Sequence, residues 1–222
     1  MELHITDPLS DRRWHALAST HSSASAFHQR GWLEALHRTY HYRPFVLTSA
    51  SANAQMKDGV VLCEVKSWIT GTRAVSLPFS DHCELLLQGV QHFPEMIRYL
   101  IANHERQGWR FAEIRPLTEP GKMEELAEPS RSYWFHELDL RPSLEELFRN
   151  LHKDSIQRGI RHAESEGLSY TKGRSPDLLV SFYRLLLLTR KRQGVIPQPF
   201  AWFRNLVTCL GDDAEIRLAA RG

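Results

Sequence analysis

Three stretches carry residues that can do chemistry. The first is KDSIQRGIRHAESEGL, from Lys153 to Leu168, which places Lys153, Arg158, Arg161 and His162 within about three helical turns. On a helical wheel Lys153, Asp154, Gln157, Arg158 and Arg161 share one sector, and Ile156, Ile160 and Ala163 take the opposite one. The plain account is a solvated face with Asp154–Arg158 and His162–Glu166 as i, i+4 pairs, each worth a few tenths of a kcal/mol. The chemical account is a grip on an anion, because the arginine fork makes paired charge-assisted hydrogen bonds to phosphate.

The second stretch is TRKRQGVIPQPFAWF. Arg190 and Arg192 close a helix, where cations also offset the macrodipole. The proline-bounded VIPQP follows at once, and Gln198, Trp202 and Phe203 can line a pocket beside it. Trp202 and Phe203 read equally well as core. The third stretch is LPFSDHCELLL, where Ser80, Asp81 and His82 connect two strands. Asp81 or His82 can serve as a general base. Neighbouring side chains on extended chain diverge, however, and a turn in which Ser80 or Asp81 bonds the backbone accounts for the same residues.

Other chemistries lack their spacing. Among 12 histidines, His37 and His41 are an i, i+4 pair with no HExxH glutamate, and His82 beside Cys83 is an isolated pair, so no metal is expected. GxGxxG, GxxxxGK[ST] and GxSxG do not occur. Three cysteines far apart, with no CxxC, fit reduced thiols and a cytoplasmic setting. The start of the chain has no secretory pattern. The longest apolar runs, Leu185–Leu188 among them, fall far short of the roughly 20 residues of a membrane span. Peripheral membrane contact stays open. A net charge of +2 on 222 residues makes no general attraction to nucleic acid, so anion binding must be local and DNA is not expected.

The elements that would position these residues are legible as a pattern. LHIT reads as a short strand, and Ser10 and Asp11 can cap a helix through Trp14 and Leu17. FHQRGWLEALHRTY has helical spacing, with Phe27, Trp32, Leu36 and Tyr40 on one side. RPFVLTSA, GVVLCEVKSWI, RAVSLPF and CELLLQ then read as an antiparallel meander with turns at Lys57–Gly59 and Thr70–Thr72. A helix closed by Gly108, a strand WRFAEIRP, a short helix around KMEELAE and a strand YWFHELDL complete an α+β domain over residues 1–140. In residues 141–222, Ser143 and Glu146 form a capping box for a helix running to about Glu166 and stopped by Gly167. The strand LSYTK follows, and Ser175-Pro176 starts a helix with Leu178, Leu179, Phe182, Leu185 and Leu186 inward. The helix FAWFRNLVTCLG and the strand AEIRLAA come last. A strand of that kind normally pairs with a following one, so the second domain reads as incomplete.

With those residues assembled, the chain resembles the Fem-type branch of the GNAT (acyl-CoA N-acyltransferase) superfamily. This branch contains the peptidoglycan interpeptide-bridge aminoacyltransferases and FemAB-like N-acyltransferases. The resemblance rests on FHQRGWLEALHRTY, RAVSLPFSDHCELLL, LFRNLHKDSIQRGIRHAESEGL, FYRLLLLTRKRQGVIPQPFAWFRNLV and EIRLAA, in the family's order. It implies tandem GNAT-like domains, 1–140 and a truncated 141–222, because family members continue well beyond Gly222. It implies transfer of an acyl or aminoacyl group from acyl-CoA or aminoacyl-tRNA to an amine of a peptidoglycan or cell-surface polysaccharide precursor, with no bound cofactor. It also implies that Lys153, Arg158 and Arg161 hold the phosphates of a nucleotide- or lipid-linked glycan. The coiled-coil arm of some tRNA-dependent members is absent between Asp154 and Gly222.

Two rivals stand beside that expectation. One is a non-catalytic module binding an anionic glycan or nucleotide-sugar. The other is RNA binding, which calls for aromatics interleaved with the arginines. Residues 149–166 carry none but histidine rings.

Overall fold

The computed structural model describes residues 2–89, 92–117, 127 and 130–221. In chain order the strands are β1 (His4–Thr6), β2 (Arg43–Thr48), β3 (Val60–Ser67), β4 (Gly71–Val75), β5 (Trp109–Glu113), β6 (Ser169–Gly173) and β7 (Ile216–Ala220). The α-helices are α1 (Arg12–Thr20), α2 (Arg30–Tyr40), α3 (Phe93–Asn103), α4 (Leu144–Asn150), α5 (Arg158–Ser165), α6 (Pro176–Gln193) and α7 (Phe200–Leu210). The chain divides into two compact units, Met1–Ser132 with Pro199–Gly211, and Tyr133–Gln198 with Asp212–Gly222. A sequence boundary near 140 thus runs across the packing, since α7 belongs with the first unit.

The first unit is a five-stranded sheet in the order β1-β2-β3-β4-β5. Three of the four strands expected in an antiparallel meander, β2, β3 and β4, form it, β1 pairs antiparallel with β2, and β5 joins β4 in parallel after α3. Strands β2 and β3 are buried almost throughout, because helices cover both faces of the sheet. Val46, Val61, Cys63 and Val65 pack with Trp14 and Leu17 of α1, Leu33 and Leu36 of α2, and Trp202 of α7. Phe45, Leu47, Val60 and Leu62 face the other way onto Phe93, Met96, Ile97 and Leu100 of α3. Helix α7 reaches α2 at Gly31, where a Cβ would lie 2.5 Å from the Cys209 carbonyl oxygen. Only glycine permits that approach.

Asp11 is the N-cap of α1. It accepts from the Arg13 backbone N–H and guanidinium, and these bonds, against a smaller opposing effect of burial, hold its carboxyl at about 2. Glu64 lies 5% exposed within the sheet. Burial alone would raise its pKa, but the Trp109 indole N–H (3.1 Å), Lys66 (3.2 Å) and Arg43 (3.6 Å) outweigh that and lower it.

The second unit holds the antiparallel pair β6–β7 with α4, α5 and α6. Leu178, Leu179 and Ile216 are its buried apolar residues among those described, while Leu185, expected inward, is half exposed.

Three local expectations are corrected. YWFHELDL forms no strand among the described residues, with Tyr133 and Trp134 standing 80% and 93% exposed. CELLLQ contributes one bridge, Gly59–Leu86, in place of a strand. The single helix expected from Ser143 to Glu166 breaks at Leu151–His152, both extended, because the His152 imidazole accepts the Ser155 N–H and starts a new helix. That helix opens with a π-helical turn, Lys153–Gln157. The Ser143–Glu146 capping box is present as expected. The short helix expected around KMEELAE lies outside the described residues.

Candidate functional site

In the first unit, the connection after β4 tightens into a turn at Leu77–Ser80. The Ser80 hydroxyl donates to the Leu77 carbonyl (2.9 Å), and the Arg115 guanidinium donates to the carbonyls of Leu77 and Ser80 at 3.4 and 3.1 Å. Ser80 therefore does the backbone work that a turn predicts for it. Asp81 is exposed just beyond, and His82 is half-buried with its ring edge-on to Phe27, centroids 5.4 Å apart.

The turn raises Phe79 into an aromatic cluster. Phe79 has a φ of 63°, in the left-handed region where bulky residues are rare, and its ring is 43% exposed. It lies 5.0 Å from Tyr40 and 5.3 Å from Trp202. Tyr42 stacks on Tyr40 at 5.1 Å, Trp32 stands edge-on to Trp202 at 5.4 Å, and Phe27 stands edge-on to Trp32 at 4.8 Å. Two candidates from different stretches, His82 and Trp202, thus meet in one cluster. Trp202 is 3% exposed, so it is core as well as cluster. Tyr42, Phe79 and Arg115 are not singled out by the sequence, and Tyr40 reads there only as part of the apolar side of α2. The one available signal was an aromatic in a turn, Pro78-Phe79-Ser80. Such a wall offers flat apolar area beside a polar turn, the usual make-up of a small-ligand site.

A cysteine nucleophile is excluded nearby. His28 Nε2 lies 3.5 Å from the Cys83 sulfur, but its Nδ1 accepts the Ser25 backbone N–H, so Nε2 carries the proton and donates it to the Glu84 carbonyl (2.9 Å). Burial pushes the Cys83 thiol up to about 12 and pushes His28 down. A thiol and a neutral imidazole result, with no thiolate to attack. Elsewhere in the unit, an open groove of about 390 Å³ is lined by Arg13, Thr20, His21, Met56, Lys57 and Gln88. None of the candidate site residues lines it.

In the second unit, Lys153, Arg158 and Arg161 are all exposed. Lys153 and Arg158 make no ion pair among the described residues, and Arg161 lies over the Phe148 ring at 5.4 Å. The pairs foreseen for this helix do not form: Glu166 binds Arg221 at 2.7 Å instead. The wheel also misplaced Gln157, which is 6% exposed, while Ile156 is 45% exposed. The π-helical turn rotates Gln157 inward, where its amide N–H groups donate to the carbonyls of Leu151 (2.7 Å) and Arg149 (3.2 Å). Arg192 is exposed at the end of α6, and Arg190 donates to the Gln193 side chain at 3.3 Å. Gln198 is half-buried, and its carbonyl accepts the Tyr183 hydroxyl at 3.0 Å. Among the described residues no three His, Cys, Asp or Glu side chains gather as a metal would require.

No family model and no curated protein sequence matches the chain. Among solved structures, a crystal structure of FemX aligns with a TM-score of 0.63 at 15% identity, over 99% of this chain and 57% of the FemX chain. A ribosomal-protein-alanine N-acetyltransferase from Brucella melitensis biovar Abortus 2308 aligns with a TM-score of 0.37 at 11% identity, over 62% of this chain and all of its own. The likeness to FemX is one of fold: the chain has the FemX-like α+β architecture expected from its sequence. It spans 57% of the FemX chain.

Proposed function

We propose that the chain acts in FemAB-type N-acyl or aminoacyl transfer, with acyl-CoA or aminoacyl-tRNA as donor. The acceptor is an amine of a peptidoglycan or cell-surface polysaccharide precursor, met in the cytoplasm. The observation that carries this is the FemX-like fold over 99% of the chain. The neutral amine attacks the activated carbonyl, a C–N bond forms, the C–S or C–O bond to the donor breaks, and the amine proton passes to base or leaving group. Such a reaction draws its rate from positioning and from donors to the developing oxyanion, so it needs no covalent enzyme intermediate.

His82 or Asp81 is our candidate for the proton acceptor, beside the Phe79–Tyr40–Trp202 wall that would seat the ligand's flat surface. Lys153, Arg158 and Arg161, with Arg190, Arg192 and Gln198, are the candidates for holding the phosphate-bearing acceptor. The unneutralised charge of Lys153 and Arg158 favours that role over a salt-bridged surface. Calorimetry with a UDP-linked muropeptide tests it: Arg158→Glu with Arg161→Glu is expected to weaken binding at least about tenfold, the worth of one charge-assisted contact. Unchanged affinity returns these residues to a solvated face.

A further inference from the structure

We propose that the tip of the β3–β4 hairpin is a membrane-contact loop that seats Trp68 and Ile69 in the interface of an anionic phospholipid bilayer. Trp68 is 95% exposed and Ile69 71%. Adjacent large apolar side chains standing free of the fold mark a contact surface rather than a packing element. The tip is also built to hold them out. Ser67 Oγ accepts the N–H groups of Ile69 (3.3 Å) and Thr70 (3.2 Å). Arg73 donates to the Thr70 hydroxyl at 2.8 Å, and Arg110 donates to the Thr70 carbonyl at 3.1 Å. Gly71 has a φ of 77°, and a Cβ there would lie 2.6 Å from Arg110 Cδ, so the glycine lets the arginine stem cross the hairpin.

The charge around the tip is positive in excess. Lys66 is 73% exposed, Arg73 and Arg110 flank Thr70, and the one carboxylate in residues 60–75, Glu64, is buried and paired with Lys66 and Arg43. Glu105 and Arg106, in the turn before β5, are of opposite sign and leave that excess unchanged. Tryptophan settles at the headgroup level, and Lys and Arg beside it meet lipid phosphate. A bilayer fits this tip better than a protein does. Two residues on a convex turn fall far below the roughly 800 Å² per partner of a stable protein interface, whereas a bilayer accepts a shallow wedge. No described helix is long and apolar enough to cross a membrane.

This surface is independent of the transfer chemistry, and either can fail alone. The full chain is sedimented with vesicles of mixed phosphatidylcholine and phosphatidylglycerol, and with phosphatidylcholine alone. We expect partition onto the anionic vesicles, weakened by raising salt to about 0.5 M, and reduced at least about tenfold in the double variant Trp68→Ser, Ile69→Ser. The variant's thermal melt should match that of the parent, since neither side chain packs in the fold. Protein left in the supernatant, a double variant that binds as well as the parent, or a Trp68-dependent contact made only with another protein overturns the proposal.

Discussion

The ring of Phe79, on a residue with a φ of 63°, lies 5.3 Å from the ring of Trp202 on α7. A backbone conformation unfavourable for a bulky residue is thus held in place by aromatic contacts to Trp202 and Tyr40 and by the Arg115 bonds beneath the turn. Strain kept at the rim of an aromatic wall is what a ligand-facing residue shows.

Two substitutions at Phe79 separate backbone from ring. Both Phe79→Ala and Phe79→Gly delete the wall, but only glycine removes the left-handed penalty, so Phe79→Gly should be the more stable by about 1 kcal/mol. Urea denaturation measures the difference. Equal stabilities would mean that the turn is not strained.

Gly31 lets α7 approach α2. Gly31→Ala drives a methyl against the Cys209 carbonyl and should cost about 1–3 kcal/mol. It should also shift the near-ultraviolet circular dichroism of the Trp32–Trp202 pair. A silent substitution would remove the close approach from the account.

Gln157 bridges two helices through its side chain. Gln157→Ala strips the Arg149 and Leu151 carbonyls of their donor and should cost about 1–3 kcal/mol. Hydrogen exchange should show faster opening of residues 149–158, with the first unit unchanged.

Asp11 gives a pH signature. Its carboxyl is depressed from 3.8 to about 2, so its stabilisation is fully present above about pH 4 and is lost as pH falls through about 2. Asp11→Ala should cost about 1 kcal/mol near neutrality, the worth of an N-cap. The gap between parent and variant melts should close over that acid window. A gap that persists below pH 2 would assign the effect to packing instead.

Helix periodicity and caps were legible because they are local. FHQRGWLEALHRTY became α2, and Ser143 with Glu146 became the capping box of α4. What failed depended on partners distant in sequence. YWFHELDL has strand composition, but a strand exists only beside a neighbour, and the described residues supply none. The break at His152 turned on one imidazole choosing the Ser155 N–H. Asp81, His82 and Trp202 stand out by residue type, whereas the aromatic contacts around them do not. Tyr40, Phe79 and Trp202 meet only once α2, the 77–80 turn and α7 are packed.

Transfer itself is the decisive test. The chain is incubated with a UDP-linked muropeptide and either acyl-CoA or aminoacyl-tRNA, and the mass of the acceptor is measured. The account predicts an acceptor heavier by one acyl or aminoacyl group, formed more slowly by His82→Ala or Asp81→Ala by about 10²-fold, the usual worth of a general base. An acceptor that binds but never gains mass with either donor would contradict it, and would leave a binding module on a Fem-like fold.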